Sequence, residues 1–120
     1  NKISKIEPRS FGSDLNVLHL SCNQLSKFSE KWFQHPEHLK EIDISGNQLT
    51  SIEENLFKKF KNLDMIILSH NKISEIGNGA FSNRINFRTL HFEHNKIPEL
   101  SEKIFDNSII KVLDLKISYN

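Results

Sequence analysis

Cysteine is nearly absent from this sequence. Its 120 residues include one, Cys22, so no disulfide can close within the chain. That fits a reducing compartment, and it fits equally a segment separated from disulfide-bonded ends. Arginine is scarce as well, with 3 residues against 13 lysines, so forked guanidinium reading of phosphates is not a theme. A net charge of +1 leaves no electrostatic footprint for nucleic acid or an anionic membrane. There is no long apolar run of the kind that spans a bilayer, and no signal-peptide pattern. No Asn-x-Ser/Thr triplet occurs, which disfavours a heavily glycosylated surface. Glycine, at 4 residues, is too sparse to supply a phosphate-cradling loop or a nucleophile elbow.

What the sequence does contain is a repeat. In Leu39–Asn62, apolar residues fall at Leu39, Ile42, Ile44, Leu49, Ile52, Leu56 and Phe57, with Asn47 among them. A shift of 24 residues gives Leu63, Ile66, Leu68, Asn71, Ile73, Ile76, Ala80 and Phe81, and another gives Phe87, Leu90, Phe92, Asn95, Ile97, Leu100, Ile104 and Phe105. Backwards it reads Leu15, Leu18, Leu20, Asn23, Leu25, Phe28, Trp32 and Phe33. A shared period of this length means stacked units, none of which buries its apolar face alone. Steps between asparagines are 22, 24, 24, 24 and 25 residues, from Asn1 to Asn120. The last step keeps the asparagine if Val112, Leu115 and Ile117 resume the register; the alternative, Ile110, Leu113 and Leu115, places Ser118 there instead. Both ends fall in mid-unit, so the expectation is a single array over 1–120, about five repeats, uncapped at both ends.

Each unit changes period halfway. Segments such as Ile42-Asp43-Ile44 alternate with period two, as strands do. The predicted strands are Val17–Ser21, Glu41–Ser45, Met65–Ser69, Thr89–Glu93 and Asp114–Ser118, all running the same way and pairing in parallel. The return halves carry Ser29, Ser51 or Ser101 near acidic residues, which suits one or two turns of 3₁₀ or α-helix, while Pro36 and Gly77/Gly79 interrupt anything longer. The asparagines predict a ladder, because a carboxamide inside an apolar wall must be hydrogen-bonded. Phe11, Phe33, Phe57, Phe81 and Phe105 predict a stacked aromatic spine.

The pattern LxxLxLxxNxLxxLxxxxF covers the whole chain and resembles the leucine-rich repeat in its 24-residue form. That form is common in extracellular proteins such as Toll-like receptors, small matrix proteoglycans and secreted insect immune proteins. The resemblance implies an α/β repeat fold: a curved solenoid with a concave parallel β-sheet and an irregular, short-helical convex side. It implies a non-enzymatic recognition module in innate immunity or cell-surface recognition, extracellular, with no cofactor. The cysteine-rich caps usual in extracellular members are absent, and the proline often found before the aromatic is displaced or missing.

Stacked strands align their polar positions in columns. One reads His19, Asp43, Ile67, His91, Lys116; its neighbours read Val17, Glu41, Met65, Thr89, Asp114 and Ser21, Ser45, Ser69, Glu93, Ser118; an outer one reads Cys22, Gly46, His70, His94, Tyr119. The ligand-binding candidates are Glu41, Asp43, Met65, Ile67, His70, His91, Glu93, His94, Lys116 and Tyr119. Apolar Met65, Ile67 and Tyr119 among charges suit a protein or other macromolecular ligand, although isolated apolar surface residues are also ordinary. A homo- or heterodimer is compatible with the same surface. His70 and His94 should lie side by side with His91 and Glu93 nearby. As a hypothesis, zinc or acidification changes ligand affinity through this cluster; the other reading is solvated histidines and no metal site. The His35-Pro36-Glu37-His38 stretch reads as a solvated loop. Ser69 beside His70, and Cys22 near His19, lack an oriented base and an oxyanion site. Two alternatives to recognition remain: a structural spacer or dimerisation segment of a longer solenoid, and a cytosolic repeat scaffold.

Overall fold

A computed structural model of the chain describes residues 2–81, 86–98 and 111–116, with backbone alone at 86, 87 and 111–116. Among the described residues the strands are, in order, β1 (Val17–His19), β2 (Glu41–Asp43), β3 (Ser51–Ile52), β4 (Met65–Ile67), β5 (Glu75–Ile76), β6 (Asn86–His91) and β7 (Lys111–Lys116). Five of them form one parallel sheet in the order β1-β2-β4-β6-β7. The register is the sequence period: Val17, Glu41, Met65 and Thr89 stand in line, as do Leu18, Ile42, Ile66 and Leu90. Between β6 and β7 Phe87 faces Val112 and Leu90 faces Leu115, a 25-residue offset. The longer final step is therefore the one adopted.

The strands differ from expectation in their limits. The first three end at His19, Asp43 and Ile67, two residues early, while β6 and β7 begin three residues early. Backbone pairing nevertheless runs on past the strand ends, through Cys22 N–H to Ser45 O (2.9 Å), Gly46 N–H to Ser69 O (3.0 Å) and His70 N–H to Glu93 O (3.0 Å). What stops the strand is a left-handed residue before each described asparagine: φ is 58° at Cys22, 66° at Gly46, 57° at His70 and 59° at His94. Only Gly46 adopts this without a steric cost.

The asparagine after that bend holds neighbouring units together. Asn47 donates through Nδ2 to the carbonyls of Ile44 (3.1 Å) and Ser45 (3.2 Å) in its own unit and of Leu20 (2.8 Å) in the preceding one, while its Oδ1 accepts from Leu25 N–H (2.9 Å). Asn71 repeats this with Leu68, Ser69, Ile44 and Leu49, and Asn95 with Phe92, Glu93, Leu68 and Ile73. Asn23 bonds Leu20 O and accepts from Ile3 N–H. All four are buried. Asn1 and Asn120 lie outside the described residues.

The return halves differ more from expectation. Ser29 does cap a 3₁₀ turn, Glu30–Trp32, its Oγ accepting from Lys31 N–H (3.1 Å). Ser51 instead lies in β3, which pairs in parallel with β5 as a second, two-stranded sheet. Ile52 is apolar and buried while Ser51 faces out, so the strand alternation continues where a helical turn was expected. Ser101 is outside the described residues. Gly77 serves this narrow sheet: a Cβ there would stand 2.4 Å from the Glu54 nitrogen, so only glycine permits the close approach. Pro36 begins a 3₁₀ turn, Pro36–His38, rather than interrupting a helix, because its fixed φ suits a first-turn position.

The aromatic spine is present but not in single file. Phe11 meets Phe33 (5.3 Å between ring centroids) and Phe57 stacks on Phe81 (5.3 Å, 12°). The join runs through Phe28, stacked on Phe57 (5.5 Å), and Phe60, which meets Phe33 edge-on (5.3 Å, 87°). Two 3₁₀ turns build one return half and β3 the next, so the two halves are not built alike. Phe60, fully buried, has no counterpart in the repeat pattern. Phe105 is outside the described residues.

The His35–His38 loop is bonded to its neighbours rather than merely solvated. His38 Nδ1 lies 2.6 Å from Ser13 O in the preceding unit, and Asn62 Nδ2 donates to Glu37 O (2.7 Å) from the following one. His35 Nδ1 lies 2.9 Å from Glu37 Oε1. The Glu37 carboxyl is held below its ordinary value of 4.5, first by a backbone N–H and then by the His35 hydrogen bond.

Two outcomes are expected. Asn47→Ala orphans buried backbone groups in two units and costs about 2–4 kcal/mol in chemical denaturation. Asn47→Asp is no better, because a carboxylate cannot donate to the carbonyls of Leu20 and Ile44. Glu37, with a lowered folded pKa, contributes stability that is present above its unfolded value and lost as pH falls through the lower folded one. Denaturation curves of the parent and Glu37→Gln should converge as pH drops below about 4.5 and separate above it.

Candidate functional site

Alternation within β1, β2, β4 and β6 turns Leu18, Ile42, Ile66 and Leu90 into the core and leaves the flanking residues outside. The outward face therefore carries Val17, Glu41, Met65 and Thr89 in one row and His19, Asp43, Ile67 and His91 in the next. Lys116 continues the second row by register, its side chain undescribed, and Tyr119 lies outside the described residues. Val17 is 45% exposed, while Met65 and Ile67 are half-buried between charged neighbours.

Those neighbours are engaged with one another. Arg88 reaches across two strand spacings to Glu41 (2.5 Å), passing Met65 with Nη2 3.8 Å from its sulfur, and stands 3.7 Å from Asp64. Asp43 is turned onto its own chain, Oδ1 accepting from Ser45 N–H (2.9 Å) and Ser45 Oγ–H (2.6 Å). His91 lies 3.9 Å from Glu93. The face thus carries two separate apolar points, Val17 on β1 and the Met65/Ile67 pair on β4, with Glu41 and Asp43 of β2 between them.

Arg88 and Asp64 were not among the sequence candidates. They stand one residue before the tabulated columns, in a column reading Asn16, Lys40, Asp64, Arg88, where Lys40, Asp64 and Arg88 each donate a backbone N–H to the preceding member's carbonyl. The 24-residue period contained this column. What hid it was the length of the arginine side chain, which carries charge from a position outside the two outward rows across to Glu41.

His70 and His94 do lie side by side: their rings stack with centroids 4.2 Å apart and planes 11° from parallel. Both sit at the left-handed bend rather than on the strand, so they form the rim of the face. Ring-nitrogen lone pairs lie in the ring planes, so face-to-face rings do not aim them at one ion. Among the described residues, no group of three or more His, Cys, Asp or Glu is placed to hold a metal. Ser69, placed by its column on the exposed surface, is buried instead; the chain bends there, and its carbonyl accepts from Gly46 N–H (3.0 Å) and Asn71 Nδ2 (3.3 Å). Cys22 is exposed at the same rim.

Because Arg88 is half exposed, its bridge is a surface interaction. Arg88→Ala should change folding stability by less than about 1 kcal/mol in denaturant titration, while exposing Met65.

Comparison with known proteins gives one finding. The family profile described as leucine rich repeat matches residues 1–49, 13–73, 37–97 and 62–120, which together span the chain. No curated protein and no solved structure gives a significant match. No helix among the described residues is long and apolar enough to cross a membrane. The profile, the asparagine ladder and the parallel sheet in period register agree: the chain belongs to the leucine-rich repeat family.

Proposed function

We propose that this chain is a recognition module whose outward sheet face binds a protein, in an extracellular setting such as innate immune or cell-surface recognition. Leucine-rich repeats generally mediate protein–protein interaction and are generally non-enzymatic. The observation that supports the reading is the outward pair Met65 and Ile67 on the middle strand of the face, with Arg88 bridging to Glu41 across Met65 and Asp43 held by Ser45. A partner gains most where apolar side chains at the centre of a contact can be fully desolvated. Glu41, Asp43, His91 and Glu93 then form the polar border that orients the partner, and the His70/His94 stack forms the rim. Lys116 and Tyr119 are proposed as ligand contacts from their positions in the repeat alone, since the Lys116 side chain and all of Tyr119 lie outside the described residues.

The competing reading is a spacer or dimerisation segment, or a cytosolic scaffold; the Arg88–Glu41 bridge and the Asp43–Ser45 bond are also what a surface without a ligand would show. The double substitution Met65→Ser/Ile67→Ser separates them. Both residues point away from the core, so thermal unfolding should move little. For a partner isolated with the parent protein, affinity measured by calorimetry should fall by about 30-fold or more, the effect of losing about 2 kcal/mol at a contact centre. Unchanged affinity, with unchanged folding, would place recognition elsewhere on the chain. A change in self-association alone would favour the dimerisation reading.

A further inference from the structure

Charge is unevenly spread around Met65 and Ile67. Four carboxylates flank the pair by register: Glu41 and Asp43 on β2, Asp64 immediately before β4, and Glu93 just after β6. Two cations, Lys40 and Arg88, stand in the column with Asp64. With histidines neutral, four negative charges against two positive leave this part of the face at −2, whereas the whole chain carries +1. On β7, Asp114 and Lys116 hold the register positions beside Thr89 and His91 and add one charge of each sign. The excess of lysine lies elsewhere on the chain, so an acidic face is set on a chain of net positive charge.

Three of the four carboxylates also have an oxygen without a partner among the described residues. Asp64 Oδ1 and Glu93 Oε2 are buried and accept no hydrogen bond. Asp43 commits Oδ1 to Ser45 N–H and Oγ–H, and its Oδ2 is not bonded. A carboxylate only accepts, so what each lacks is a donor, and a buried oxygen that has lost water without gaining one is costly. Donors nearby are engaged or distant: Arg88 bonds Glu41 and stands 3.7 Å from Asp64, while His91 is 3.9 Å from Glu93.

We propose, on the recognition reading above, that the partner of this face is a protein surface presenting lysine or arginine around an apolar contact. The apolar contact covers Met65 and Ile67, and the partner's cations meet Asp43 on one side and Glu93 on the other. Rotation of the Glu93 and Asp64 carboxylates toward a docked ammonium or guanidinium gives their buried oxygens the donor that they lack. An anionic partner would set its charges against the same oxygens and would find Arg88 already held by Glu41. Complementarity of this kind steers encounter and rejects partners of the wrong sign.

Two fluorescein-labelled peptides of one length and one leucine pattern, the first with lysine at its polar positions and the second with glutamate, are titrated with the whole chain and followed by anisotropy. Saturable binding of the lysine peptide is expected, and the glutamate peptide should show no binding that depends on Met65 and Ile67. Asp43→Asn/Glu93→Gln keeps the size of both side chains and the acceptor for Ser45, and should weaken lysine-peptide binding by about tenfold. Glu53→Gln/Glu54→Gln removes the same charge from exposed sites on the return side and should change it by less than about twofold. Thermal unfolding shows that each variant is folded. Glutamate-peptide binding that is lost with Met65→Ser/Ile67→Ser would overturn the cationic partner and leave recognition through this face standing. An equal loss of lysine-peptide binding with both carboxylate pairs would overturn it too, as an effect of net charge alone. Binding of neither peptide, or binding indifferent to Met65→Ser/Ile67→Ser, would sink the recognition reading itself, and the cationic partner with it.

Discussion

Everything in this structure depends on hydrogen-bonding a carboxamide inside an apolar wall. The chain must turn out of each strand while its neighbours remain stacked, and the turn exposes carbonyls and amides to the core. Asparagine answers with two donors and an acceptor on one short planar group, bonding its own turn and the unit before it. Aspartate has no donors, and glutamine is one methylene longer. The left-handed residue before each described asparagine is the companion constraint, since it aims the carboxamide inward. Because the bonds join one unit to the next, the ladder couples the stability of neighbours, which is why no single repeat is an independent folding unit.

The core works by the same logic of translation. Residues one period apart occupy equivalent positions, so leucine and isoleucine columns stack in register through the buried core. Where the return halves differ, aromatic rings absorb the mismatch. Phe60 fills the space between Phe33 and Phe57, and Phe28 bridges the same step. A large planar side chain can accept a range of tilts at 5–6 Å separation, which aliphatic side chains cannot match.

Function lies in what translation leaves unrepeated. Every unit must supply the same inward side chains, so inward residues carry little information about a partner. The outward positions are unconstrained by stacking, and there the columns become dissimilar: valine, glutamate, methionine and threonine in one, histidine, aspartate, isoleucine and histidine in the other. Their meaning comes from cross-strand pairing. Arg88 and Glu41, 47 residues apart, close over Met65 only because three strands lie side by side. The same holds on the return side, where Ser13 and His38 are 25 residues apart and meet because one unit rests on the next.

Much of the fold was legible in the sequence alone. Period, strand register, the asparagine ladder, the longer final step and the adjacency of His70 and His94 all follow from spacing, since a solenoid converts sequence period directly into spatial neighbourhood. The tertiary structure decided what period cannot encode. It placed Ser51 in a second sheet instead of a helical turn, because which conformation a short polar segment adopts is settled by the unit beside it. It buried Ser69, through a backbone bend that alternation does not register, and brought Arg88 onto the face, through side-chain reach. It also tied the His35–His38 loop to its neighbour, because the carbonyl that meets His38 Nδ1 belongs to another repeat. Sequence determined which residues are neighbours; only three-dimensional contact determined which atoms of those neighbours are already engaged and which are left to act.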